Sequence, residues 1–299
     1  MSARPTDRAG PAILISLVAL LLFELMGLVI KHLISSYSAQ ELSVYRNIFG
    51  LVPSVLALWS ARAWQAKGRP WRIRQWPLAL FRGFVVTGAQ FLFYLSLAHL
   101  AFATASTLTY SNALFMTALA IPVLGEKVGL VRWSAVLVGF AGVVWVTGFG
   151  SDTFQWVALA PIGAAFLYAL SGVTARLVDD DVPSPLLNLY STGASATGAL
   201  VFTLSTTGFS PIGSATDMAW ILAMGCLGGC AVLCLVISFR MTEQSNLAPF
   251  SYFGIPMAFI LGWVFYNEAP WSDLFPGAVL IVAGGLLVIW RERRLRAKS

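Results

Sequence analysis

Charged side chains make up only 11% of the 299 residues, against about 25% in soluble domains, and that shortage excludes an ordinary water-soluble fold. Histidine occurs twice and cysteine three times. His32 and His99 have no partners at metal-ligand spacing, and Cys226, Cys230 and Cys234 recur every four residues along one apolar helix stripe. The cysteines read as small packing residues, and neither a metal site nor a cofactor is expected. The sequence also lacks a zinc-binding His-Glu pair, a Gly-x-Ser-x-Gly elbow and a phosphate-cradling glycine loop, which leaves an enzyme without its nucleophile and base. The net charge of +6 does not point to nucleic acid, because the basic residues stand at the edges of apolar segments and form no aromatic-interleaved surface.

What the chain has instead is hydrocarbon. Residues of the apolar set reach 58%, mean hydropathy is +0.78, and runs such as Ala12 to Phe23 and Val279 to Ile289 are spread over the whole length. The expected class is an all-α membrane protein, its partner the lipid bilayer. Segments of span length fall near 11–33, 40–60, 76–98, 101–122, 130–149, 154–177, 183–206, 217–239, 246–266 and 273–290. These make ten transmembrane helices, with tails at 1–10 and 291–299. The first apolar stretch follows Arg4 and Arg8, but it carries Glu24, Lys31 and His32 and is too long for a signal-peptide core. With the N-terminus inside, 17 of the 19 cations fall on the cytoplasmic side; only Lys31 and Arg46 lie toward the other face. Both termini are therefore expected in the cytoplasm, with the chain in a bacterial inner membrane. Trp59, Trp64, Trp71, Trp76, Trp133 and Trp290 flank span ends, where indole rings anchor at the headgroups.

The chain also resembles itself. Gly27/Gly172, Lys31/Arg176, Leu42/Leu187 and Tyr45/Tyr190 pair at a shift of 145 residues, and Ser96/Ser238, Tyr110/Tyr252, Glu126/Glu268 and Gly142/Gly284 at 142. The same shifts superpose the predicted spans, dividing the chain into repeats at 11–149 and 150–290. Because each holds an odd number of spans, the second enters the membrane inverted relative to the first. Two inverted-topology five-helix repeats around a central cavity are the architecture of alternating access.

Short motifs in a fixed order complete the pattern: Tyr45-Arg46-Asn47, Thr104-Ala105-Ser106, Gly125-Glu126-Lys127, Ser245-Asn246-Leu247-Ala248-Pro249, Asn267-Glu268 and Gly284-Gly285. On these the chain resembles the drug/metabolite transporter superfamily, specifically ten-helix exporters built from two EamA-type halves, over about residues 11–290. It departs from the usual pattern at Ser191, where an arginine is expected after Tyr190. The resemblance implies export of a small-molecule substrate, often an amino acid, through a central cavity. Within the superfamily the chain looks most like the bacterial aromatic amino-acid exporters. A passive facilitator or channel and an exporter of cationic drugs stand as alternatives. A duplicated chain already holds both walls of a cavity, so function as a monomer is expected.

The polar residues inside the spans name the candidate site. Gly83, Thr87, Gln90 and Tyr94 form one small and polar stripe on the third span, which lipid does not tolerate and which must face protein or a wet cavity. The fourth span carries Tyr110, Ser111 and Asn112, and its repeat mate carries Pro249, Ser251 and Tyr252. Tyr94, Tyr110, Tyr168 and Tyr252 offer faces for stacking and hydroxyls for hydrogen bonds. Glu24 lies near mid-membrane. It either carries a proton or a substrate ammonium, or it is fixed in a structural ion pair with Lys31, Arg46 or Arg82. Arg46 and Arg82 are expected to snorkel toward opposite faces rather than to meet a substrate carboxylate.

Overall fold

The computed structural model describes residues 9–61, 64–65, 68, 71–125, 130–148, 154–175, 177–178, 182–241, 247 and 250–296. Among these residues all regular structure is helical. In chain order the helices are α1 (Ala9–Leu33), α2 (Ala39–Trp59), α3 (Trp76–His99), α4 (Phe102–Thr109), α5 (Asn112–Leu124) and α6 (Leu130–Thr147). A 3-10 turn (Trp156–Ala158) leads into α7 (Leu159–Ala175), followed by α8 (Ser184–Thr206), α9 (Ala215–Met241), α10 (Gly254–Tyr266), the short α11 (Trp271–Leu274) and α12 (Gly277–Arg296).

Each expected segment overlaps a helix, with differences that matter. Six described helical stretches are long and apolar enough to span a bilayer, and Val136–Thr147 and Gly254–Tyr266 are shorter apolar helices. The count of ten spans is thus met by six that qualify on length and composition. α12 also continues to Arg296, past the expected end at 290. The fourth segment is two helices: α4 stops at Tyr110 and α5 starts at Asn112. The ninth breaks in the same way at Tyr252 and Phe253, ahead of α10. Tyr110 and Tyr252 are the pair found at a shift of 142, so the break is repeated. So is the left-handed residue that ends the next helix, Gly125 at φ 68° and Asn267 at φ 54°.

Packing follows the same exchange of halves. α1 lies against α9 and α7 against α3, while α2 meets α9 and α8 meets α3; α2 with α8 and α6 with α12 each pair with their own mates, and α4 meets α10. Close approach is built into α9. A Cβ on Gly225 would stand 2.2 Å from Phe49 Cβ, and one on Gly229 would stand 2.4 Å from Pro53 Cγ. The small-residue spacing therefore lets α2 and α9 touch along their backbones, the way helices gain contact without a hydrophobic driving force between them. α2 is started by a capping box, in which Ser38 Oγ accepts from Glu41 N–H and the Glu41 carboxylate accepts from Ser38 N–H; such a cap contributes about 1 kcal/mol.

Exposed apolar residues such as Leu14, Leu137, Trp145 and Val264 lie on the outside, as a lipid-facing surface requires. Trp59, Trp71, Trp76, Trp133 and Trp290 are exposed as anchors should be, but Trp64 is not. It is buried among Leu58, Ile73, Ala79 and Leu186, with its ring edge-on to Trp71. Trp64 itself is packed into the bundle, and burial there outweighs the interfacial position read for it.

Candidate functional site

A cavity of about 360 Å³ sits inside the bundle between α1, α2, α3, the α4–α5 break, α7 and α8, within the range of small-molecule sites. Its wall is mostly apolar and aromatic, with polar groups at chosen points. Glu24, Arg46, Gln90, Tyr94, Tyr110, Asn112 and Tyr168 all line it. Of the residues expected to bind substrate, Gln90, Tyr94, Tyr110 and Asn112 of the first half and Tyr168 of the second thus converge on one space.

Others go elsewhere. Ser111 is buried, and its hydroxyl donates to Leu108 O at 2.6 Å, closing the α4–α5 break. Tyr252 is buried in a separate apolar cluster with Phe259, Leu274 and Ile281, and neither it nor Ser251 is on the described wall. The two breaks are equivalent in sequence, but the cavity is asymmetric and takes Tyr110 alone. Pro249 lies outside the described residues. The intended ion pair of Glu24 with Lys31 is not formed. Lys31 Nζ instead reaches Glu268 Oε1 and Oε2 at 2.6 and 2.8 Å and Leu100 O at 2.9 Å, near the opposite end of α1 from the chain terminus. Glu268 Oε2 also accepts from Phe102 N–H, and Lys31 lies 5.1 Å from the centre of the Tyr266 ring. The two-turn separation from Glu24 is longer than a lysine covers when a carboxylate on α10's end stands beside it.

Glu24 is held by hydroxyls. Tyr110 Oη donates to Oε1 at 2.6 Å and Ser106 Oγ to Oε2 at 3.3 Å, and no cation within salt-bridge distance accompanies it among the described residues. Tyr110 is in turn held by lack of bulk across the way, since a Cβ on Gly254 would stand 1.7 Å from its hydroxyl oxygen. Gly254 heads α10, so the second half shapes the first half's carboxylate.

Below Glu24 runs a side-chain network. Gln90 Oε1 accepts from Ser43 Oγ at 2.6 Å and from Asn47 Nδ2 at 2.9 Å, and Asn47 Nδ2 also reaches Ser195 Oγ at 3.0 Å. Thr87 Oγ1 adds a bond to Ser195 O. Both uses foreseen for this stripe therefore occur together, because Gln90 faces the cavity while its amide bonds tie α3 to α2. Replacing Gln90 by Leu strands the buried Ser43 and Asn47 groups; we expect a loss of about 1–3 kcal/mol, read as a lowered melting temperature in detergent.

The arginines turn inward rather than snorkel. Arg82 Nε donates to Ser171 O at 2.9 Å and one terminal nitrogen to Ser191 Oγ at 3.3 Å. Ser191 stands where the repeat mate of Arg46 would be, and it receives Arg82 instead. Arg46 lines the cavity, with one terminal nitrogen bonded to Asn47 Oδ1 at 2.9 Å. The reason is local: each guanidinium finds an oxygen acceptor within the bundle. Sequence reading missed Asn47, Asn188, Ser191 and Ser195 as site residues. The last three carried a signal, a helical stripe on α8 spaced like the one on α3.

Known proteins place these observations. A family model described as the EamA-like transporter family matches residues 10–148 and again 155–290. A riboflavin transporter of Rhizobium johnstonii is 30% identical over 58% of this chain and 57% of its own length. An S-adenosylmethionine uptake transporter of Rickettsia bellii is 25% identical over 66% of each chain, and a pseudopaline exporter of Pseudomonas aeruginosa is 23% identical over 92% of this chain and 95% of its own. The chain thus spans less than two thirds of the first two relatives. A solved structure 21% identical to it has the same fold, with a TM-score of 0.65 over 95% of this chain and 98% of that one.

Proposed function

The chain belongs to the EamA-like transporter family, and from that premise we propose that it exports a small solute with a flat aromatic group, an aromatic or other apolar amino acid first among the candidates. It is a multi-pass membrane transporter, not an enzyme. Residues 11–149 and 150–290 act in this reading as two repeats of opposite orientation, in the inner membrane with both termini cytoplasmic. They work by alternating access as a monomer. The observation that carries the reading is the cavity itself. Phe23, Phe93, Tyr94, Tyr110 and Tyr168 supply aromatic surface on its wall, and Glu24 presents a carboxylate whose described bonds are hydroxyls alone. Glu24 then receives the substrate ammonium or a proton.

The relatives favour a second reading of the same cavity. Riboflavin and S-adenosylmethionine are also built on flat heteroaromatic rings, so the stacking wall suits them as well, and uptake replaces export as the direction. Purified protein in proteoliposomes decides between the two. Labelled tryptophan and phenylalanine are expected to move faster than threonine, riboflavin or S-adenosylmethionine; faster riboflavin flux selects the second reading, and equal flux for all refutes both. An imposed proton gradient that drives accumulation separates active transport from a passive facilitator.

Alternating access gives the Lys31–Glu268 pair a role. It joins α1 of one half to the end of α10 in the other and ties both to the α3–α4 connection, closing the bundle beyond Glu24 from the chain termini. With the native cysteines replaced, Lys31→Met is expected to raise several-fold the labelling of a cysteine placed at Leu20 by an impermeant thiol reagent supplied from the Lys31 side. Unchanged labelling would show that the pair does not close that end.

A further inference from the structure

The cavity's ionisable wall is unbalanced. Arg46 and Arg82 face it with one carboxylate, Glu24, and the two cations are not equally engaged. Arg82 spends its guanidinium on Ser171 O and Ser191 Oγ. Arg46 has five N–H donors, of which one terminal nitrogen meets Asn47 Oδ1. Its Nε is buried and has no hydrogen-bond partner among the described residues. A second group shares that state: Tyr94, 1% exposed, has a buried hydroxyl without a partner. Tyr94 and Tyr168 both lie within electrostatic reach of Arg46. Two unsatisfied donors on one cavity wall are costly unless something accepts from them.

Room for the guanidinium is made on purpose. A Cβ on Gly228 would stand 3.3 Å from Arg46 Nε and 2.6 Å from Met26 Sδ. α9 therefore passes close beside the arginine, and the head group is held within the bundle. The repeat has no equivalent on the other side, since Ser191 occupies that position.

We propose that Arg46 and Tyr94 form an oxyanion subsite that binds a carboxylate or phosphate of the transported solute and so determines its specificity. The planar fork of Arg46 matches either oxyanion through two parallel bonds, the Tyr94 hydroxyl adds a third donor, and the Tyr168 and Tyr94 rings flank the group's aromatic neighbour. Glu24, in the same cavity, selects the opposite charge. A zwitterion with a ring fits both ends, and a ring bearing an oxyanion alone fits the Arg46 end. The subsite rests on the transport reading only in that its occupant is the moving solute.

Two matched pairs of probes test it, tryptophan with tryptamine and flavin mononucleotide with riboflavin, each pair differing by one oxyanion. Binding to the full-length purified protein is measured by titration in detergent. The wild type is expected to bind the oxyanion-bearing member of at least one pair about tenfold more tightly or better. Arg46→Gln, which keeps an amide able to reach Asn47, is expected to erase that ratio, and Arg46→Lys to retain part of it. Tyr94→Phe, which keeps the ring and removes only the hydroxyl, is expected to lower the ratio several-fold. Indifference of the wild type to the oxyanion in both pairs, or a ratio that survives Arg46→Gln, overturns the proposal. If Arg46→Gln does not fold, Tyr94→Phe decides alone: a reduced ratio supports the subsite and an unchanged ratio refutes it. Preference for flavin mononucleotide with no binding of tryptophan defeats the amino-acid reading while leaving the subsite standing.

Discussion

Replacing Glu24 by Gln is expected to lower substrate flux in proteoliposomes at least tenfold and to remove the part of that flux that responds to an imposed proton gradient. The expectation comes from the chemistry around the side chain. Glu24 is 5% exposed and takes bonds from Tyr110 and Ser106, with no salt-bridge partner among the described residues. A carboxylate in the middle of a membrane bundle is expensive, and hydroxyls offset only part of that expense. Such a group is kept where charge has to be taken up and released. Gln has nearly the same shape, and its carbonyl oxygen accepts from one of the two hydroxyls while its amide nitrogen donates to the other, so it removes the ionisable function while sparing most of the packing. Flux and gradient response equal to wild type in Glu24→Gln would make Glu24 a structural acceptor. Tyr110→Phe provides the comparison, because it removes the stronger of the two bonds and leaves the carboxylate in place.

The second large effect is expected at Gly254, which no polar or charged pattern marks. A methyl group there falls 1.7 Å from the Tyr110 hydroxyl oxygen and 2.1 Å from Cζ, far inside van der Waals contact. Tyr110 must leave its place, and with it the 2.6 Å bond to Glu24. Gly254→Ala is therefore expected to reduce flux to the level of Tyr110→Phe and to destabilise the protein by about 1–3 kcal/mol through overpacking. The effect should vanish when the ring is absent: the melting temperature of Gly254→Ala combined with Tyr110→Ala is expected to equal that of Tyr110→Ala alone, a non-additivity diagnostic of direct contact. Additive losses would mean that Gly254 acts on something other than Tyr110.

These two positions illustrate what was legible in the sequence. Glu24 stood out as a lone carboxylate in a long apolar run, because hydrophobic patterning exposes any charge placed against it. Gly254 did not, since a glycine in an apolar segment has many uses and only the facing residue shows which one applies. The stripe Gly83, Thr87, Gln90 and Tyr94 was read correctly as turned away from lipid, since 3.6-residue periodicity is a local property. Its partners on α2 and α8 were not, because Ser43, Asn47 and Ser195 come to it from other helices. Tyr252, the mate of Tyr110, lies off the described cavity wall for the same reason. Equivalent sequence position preserved the helix break but not the face presented to the centre.

Composition alone thus determined the solvent of this protein, since a chain with so little charge and so much apolar surface leaves water for a bilayer. Hydropathy and self-similarity located nearly every helix, because both are written in neighbouring residues. Only the tertiary structure decided the pairings: Lys31 with Glu268 rather than Glu24, Arg82 with Ser171 and Ser191, and Arg46 facing the cavity. A polar side chain in a membrane protein takes whichever acceptor the packed helices bring nearest, and that distance is set by helices far apart in the chain.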